Sequence, residues 1–138
     1  MSRKKVFLSL VLILLLVIYS RPFFKAQSLV GLLEGDIHEV DSVYILDHQN
    51  GHSNQMDESN NSTEFIKLQE IVSEANVKRV WDPFAKSDYS VTFSSHKIGF
   101  WLSISRKGTI YIQDDVEKGY KFVDEQLFEE LLEVLEKQ

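Results

Sequence analysis

The chain contains no cysteine. That absence rules out disulfide stapling, thiol catalysis, and lipid attachment to a Cys placed just after an export signal. No glycine-rich run cradles phosphate, and no Gly-x-Ser-x-Gly elbow presents a nucleophilic serine. Acidic residues are missing from the first 27 positions. All 21 lie beyond, with only ten of the 15 basic residues, so residues 28–138 carry −11 against −6 for the whole chain. Such a domain is repelled by nucleic-acid phosphates and by anionic lipid headgroups, which excludes nucleic-acid binding. The same acidity keeps it soluble and favours a cationic partner or divalent ions.

The first 27 residues form the most distinctive stretch. Arg3, Lys4 and Lys5 precede an apolar run from Val6 to Tyr19, broken only by Ser9, and Ser20-Arg21-Pro22-Phe23-Phe24-Lys25 follows. This is a basic start joined to a membrane-entering core. At ~1.5 Å per residue the strict run covers about 21 Å of a ~30 Å hydrocarbon layer, a length that suits a cleavable signal. Small residues for cleavage come only at Ala26-Gln27-Ser28, which leaves a long tail after the run. Phe23 and Phe24 stand where interfacial aromatics lie, flanked by Arg21 and Lys25, which can snorkel. Residues 1–27 are therefore read as an uncleaved signal anchor or, alternatively, a cleaved signal peptide. The excess of positive charge ahead of the run keeps the N-terminus inside. Residues 28–138 then lie outside the cytoplasm, anchored to the cell membrane or secreted.

Beyond the anchor, residues 28–41 read as a spacer leading into an extracytoplasmic domain of residues 42–138. Ser42 to Asp47 is a strand candidate, and Asn50-Gly51 predicts a tight hairpin turn into a weak second strand, His52 to Met56. The stretch from Asp47 to Thr63 is nearly all polar, and because Asp57-Glu58-Ser59-Asn60-Asn61-Ser62 lacks anything with which to pack, it is expected to be mobile. A helix opens near Asn61, with Glu64 completing a capping box and Phe65, Leu68, Ile71, Val72 and Ala75 on one face. Val77 to Trp81 makes a short strand stopped by Asp82-Pro83. From Ser87 to Val123, period-two alternation with short glycine-containing links predicts an antiparallel meander. Asp124 caps a final helix whose stripe holds Leu127, Phe128, Leu131, Leu132, Val134 and Leu135. The expected class is α+β, an antiparallel meander with two amphipathic helices, preceded by the N-terminal transmembrane or signal helix.

Chemistry is sparse. Asp47, His48 and His52 meet only if a hairpin folds them together, and they offer the one candidate metal site. Asp114-Asp115 with Glu117 resembles half a calcium loop, but Val116 stands where a ligand is needed, so a hairpin turn is the simpler reading. No catalytic residues are assigned, no cofactor is implied, and the chain is not expected to be an enzyme. Trp101 and Tyr111, on neighbouring strands, make a candidate aromatic binding patch, with Trp81 positioned either to join or to cover it.

Taken in order, the basic-apolar start, Ser42-Val43-Tyr44-Ile45 before Asn50-Gly51, the capped helix and the Tyr-rich meander ending in Leu127-Phe128-x-x-Leu131-Leu132 give a recognisable layout. It resembles small uncharacterised membrane-tethered or secreted proteins of Gram-positive bacteria. The resemblance is architectural and assigns no site residues. The function it favours is a membrane-anchored extracytoplasmic interaction module that binds a protein partner. Alternatives are a small-ligand or divalent-ion binding domain at the envelope and a small envelope hydrolase.

Overall fold

Alternation of apolar and polar residues builds one antiparallel sheet of eight strands. In the computed structural model the described residues are 2–81, 86–97, 99–113, 115 and 118–138. The strands are β1 (Gln27–Ser28), β2 (Ser42–Asp47), β3 (Ser53–Asp57), β4 (Asn76–Arg79), β5 (Tyr89–Ser94), β6 (Gly99–Ile104), β7 (Thr109–Ile112) and β8 (Gly119–Phe122). Their order is β1-β4-β8-β7-β6-β5-β2-β3, and every pairing is antiparallel. The predicted meander is β5 to β8. It is extended on one side by β2 and β3 and on the other by β4 and β1.

One face of this sheet is apolar because the register aligns the large side chains in rows. Val43, Phe93 and Phe100 form one row, Ile45, Val91, Leu102 and Ile112 the next, and Tyr89, Ile104, Ile110 and Tyr120 a third. All eleven are buried. Three helices cover this face: α2 (Leu29–Leu33), α3 (Ser62–Glu74) and α4 (Glu125–Glu136). Phe65, Leu68, Ile71 and Val72 of α3 and Phe128, Leu131, Val134 and Leu135 of α4 enter the same core. Each such side chain removed from water contributes about 1.5–3 kcal/mol, before the cost of ordering it. The α+β class is thus as expected, and Asp124 caps α4 by accepting from the backbone N–H groups of Gln126 (3.0 Å) and Leu127 (3.2 Å).

Four local expectations are corrected. Leu29 to Glu34 is no spacer: it forms α2, with Leu29 fully buried and Leu33 nearly so. The capping box does not form, because Asn61 takes a left-handed conformation (φ 55°) and its side chain makes no cap bond. The β2–β3 turn is wider than a two-residue Asn-Gly hairpin. Only Gly51 has positive φ, and the Asp47 carboxylate organises the loop by accepting from the backbones of Gln49 (2.8 Å) and Asn50 (3.3 Å). The stretch after β3 is likewise tied by its own polar groups. Asp57 Oδ1 accepts from Ser59 N (2.8 Å), Ser59 Oγ (2.7 Å) and Asn60 N (2.8 Å). Asp82-Pro83, Ile98 and most of the Asp114–Glu117 turn lie outside the described residues.

A single 3-10 turn, Ile37–Glu39, leads into β2, and at the N-terminus stands α1 (Arg3–Phe24), 22 residues long. Its apolar side chains from Val6 to Tyr19 are 36–72% exposed, so none is sheltered by the domain. Among the described residues no helix is long and apolar enough to cross a membrane. Lys5 and Arg21 stand about 24 Å apart along the helix axis.

Candidate functional site

Among the described residues the helices α2, α3 and α4 lie on one face, and the other face of the sheet is at least partly exposed where β2, β5 and β6 run. The residues between the core positions point there. Ser42 pairs with Ser94, Tyr44 with Thr92 and Thr92 with Trp101, while Leu46, Ser90, Ser103 and Tyr111 make the adjacent row. β5 contributes only small hydroxyl residues, Ser90, Thr92 and Ser94, between Tyr44 and Trp101 on its two neighbours. Strands are ~4.8 Å apart, so the two aromatic residues flank a trough about 10 Å wide with a hydroxyl floor. One end is tied by Ser42 Oγ to Ser94 Oγ (3.0 Å), the other by His48 Nε2 to Ser90 Oγ (2.7 Å). Tyr44 is 44% exposed and Trp101 half-buried. A surface of this kind offers rigid aromatic area together with adaptable donors and acceptors.

The three predicted aromatic binding residues are separated. Trp101 and Tyr111 do share a face on adjacent strands, but Ser103 stands opposite Tyr111, so the two are diagonal neighbours. Tyr111 is only 5% exposed and lends the patch little surface. Trp81 lies beyond the end of β4, three strands away from β6. It stacks on Phe23 of α1 at 3.7 Å between ring centroids, with the planes 4° apart. Tyr44, the exposed aromatic of the trough, was missed. Its signal was available: once Val43 and Ile45 are assigned to the core, alternation sends Tyr44 outward.

The candidate metal ligands do not converge. Asp47 is occupied by its loop, including Asn50 Nδ2 at 2.9 Å, while His48 bonds Ser90 and His52 is exposed. Among the described residues no three His, Cys, Asp or Glu side chains could hold a metal ion. Asp115, from the calcium-like turn, is exposed and ion-paired with Lys118 at 3.6 Å. Neither a protein-family model, a curated protein nor a solved structure matches this chain.

One further polar cluster went unnoticed in the sequence, because its members are far apart along the chain. The Arg106 guanidinium donates to Tyr89 Oη (2.6 Å) and Gln49 Oε1 (2.6 Å), and its Nε lies 3.8 Å from Glu136. The buried Asp88 carboxylate accepts from the Arg106 backbone (2.7 Å) and from Gln49 Nε2 (3.3 Å). The hydrogen bond to Tyr89, helped by nearby Glu136 and Asp88, outweighs partial desolvation and raises the Arg106 pKa. These groups are engaged with one another, so the cluster is a clasp joining the β2–β3 loop, β5 and the end of α4.

Two carboxylates give the fold a predictable acid response. For Asp57, the hydrogen bonds from the Ser59 side chain and the Ser59 and Asn60 backbones hold the pKa below the ordinary aspartate value. At Asp47 partial desolvation acts upward, but the Gln49 and Asn50 hydrogen bonds and nearby Arg106 act downward, and the net shift is downward. A depressed folded-state pKa means a stabilising contribution that is complete above the unfolded value of ~3.9 and lost as pH falls through the folded one. Unfolding midpoints measured from neutral pH down should therefore drop below about pH 4. Asp57→Asn should flatten part of that drop, and an unchanged pH profile in the variant would count against the assignment.

Proposed function

We propose that this chain is a membrane-anchored interaction module, with α1 embedded in lipid and residues 28–138 outside the cytoplasm, binding a protein partner through the open face of the sheet. The observation that carries the reading is α1 itself. From Val6 to Tyr19 it is apolar on every side but for Ser9, its apolar side chains are exposed, and cations close both ends. An exposed apolar surface of that extent marks a membrane or protein contact or an aggregation liability, and lipid takes it out of water. The spacing of about 24 Å between Lys5 and Arg21 falls short of a ~30 Å hydrocarbon layer. Snorkelling of the two cations and local thinning of the bilayer accommodate such a deficit at fractions of a kcal/mol per Å. Arg3, Lys4 and Lys5 favour the orientation with the N-terminus inside.

The partner is assigned to the trough between Tyr44 and Trp101, because the opposite face is filled by helices. A crosslinking pull-down from native membranes should capture a stoichiometric partner with the full-length chain and with residues 28–138. The double variant Tyr44→Ala/Thr92→Glu, checked for an unchanged circular dichroism spectrum, should lose it. Capture that survives these substitutions moves the contact off this face, and failure of both baits removes the interaction reading. Protease added outside intact cells should digest residues 28–138, and protection there overturns the topology.

A further inference from the structure

We infer that the folded domain itself rests on the bilayer through Trp81, which sits at the depth of the lipid headgroups and makes a second membrane contact beside α1. The inference rests on the anchor reading above and adds what the rest of the domain does. α1 ends at Phe24, and only Lys25 and Ala26 separate it from β1. Lys25 N still donates to Arg21 O (3.0 Å), β1 is paired with β4 through Gln27–Val77 and Ser28–Asn76, and Leu29 is already fully buried. The chain passes from helix to sheet with no free linker.

Side chains reinforce the junction. Phe23 is stacked on Trp81, and the Arg79 guanidinium lies over the Phe23 ring at 5.1 Å. Arg79 Nε is buried with no hydrogen-bond partner among the described residues, and its guanidinium faces the Phe23 ring. A residue 58 positions further along the chain is thereby fixed level with Phe23. Trp81 is nonetheless 67% exposed, and Phe24, next to Phe23 in the chain, 72%. Exposed Trp and Phe at one level, flanked by Arg21 and Lys25, is the composition of a membrane–water interface, where amphipathic rings and cations meet phosphate. The occupant is accordingly the headgroup layer of an anionic phospholipid bilayer, continuous with the lipid around α1. The domain's overall acidity, which by itself would hold it off such a surface, is overcome at this edge by the anchor and by local cations.

The chain has two tryptophans, which makes the test direct. The full-length protein is reconstituted into phosphatidylcholine–phosphatidylglycerol vesicles whose phosphatidylcholine is brominated near the headgroup end of its acyl chains. Trp101→Phe leaves Trp81 as reporter, and Trp81→Phe leaves Trp101. The expected result is that the chain floats with the vesicles and that quenching of Trp81 exceeds that of Trp101 by about threefold or more. Phe23→Ala, with the emission of Trp101 unchanged as the check on folding, should at least halve the quenching of Trp81. Flotation with equal quenching of the two reporters overturns the inference and leaves the anchor standing. Quenching of Trp81 that is indifferent to Phe23→Ala overturns the role of the stack, and failure to float overturns inference and anchor together.

Discussion

Removal of residues 1–24 should leave a folded domain, whereas removal of residues 1–34 should unfold it. The ten residues between the two cuts contain β1 and the helix α2, whose Leu29 is fully buried and whose Leu33 is 5% exposed. Truncating one such leucine to Ala costs about 2–5 kcal/mol, because the cavity adds to the lost transfer energy. Losing both side chains, along with β1's pairing to β4, approaches the ~5–15 kcal/mol that an ordinary domain has in total. The measurement is urea denaturation followed by circular dichroism on the two truncations and on Leu29→Ala in the full chain. A cooperative transition in the residue 35–138 fragment, at the midpoint of the longer one, would falsify the placement of α2 in the core.

On the anchor reading proposed above, charge placed in the middle of α1 should release the protein from membranes. Leu12 and Leu15 are 61% and 58% exposed and touch no part of the domain, so Leu12→Arg/Leu15→Arg should leave residues 28–138 folded. Each arginine at the centre of a lipid-embedded helix costs about 2.5–3.5 kcal/mol. Two of them shift the partition away from lipid by more than about a hundredfold, at ~1.4 kcal/mol per decade. Carbonate extraction followed by quantitative blotting reads the result. Undiminished membrane retention of the double variant would show that something other than α1 holds the chain there.

The strands and helices were legible in the sequence wherever a repeating pattern had room to repeat. β5, with Tyr89, Val91 and Phe93 buried between half-buried Ser90, Thr92 and Ser94, shows period two without a break. α4 shows its stripe and its Asp124 cap equally plainly. Short elements escaped notice for the same reason. Gln27–Ser28 is too brief to carry a period, and Leu-Val-Gly-Leu-Leu reads alike as linker or helix until its neighbours are known. The Asn61–Glu64 motif misled because a capping box needs an extended backbone at its first residue, and here Asn61 is left-handed. Sites depend on register, which local pattern does not supply. Arg106, Asp88, Gln49 and Glu136 meet only through strand pairing and helix docking, and the rows that set Tyr44 beside Trp101 are visible only once β2 is seen to pair with β5. Asp47, His48 and His52 are neighbours in sequence but diverge around a loop that uses Asp47 for its own closure.

The position of β4 between β1 and β8 has a consequence for biosynthesis. β1 leaves the ribosome directly after the apolar helix, β4 follows near the middle of the chain, and β8 comes almost at its end. At ~5–20 residues per second, Leu29 and Leu33 wait on the order of 5–20 s before the strands that complete their shelter exist. The meander and α4 assemble from contiguous chain, but the edge nearest α1 closes last. A nascent chain therefore shows sticky leucines until its last strand has been made, and a stalled product would aggregate through them first.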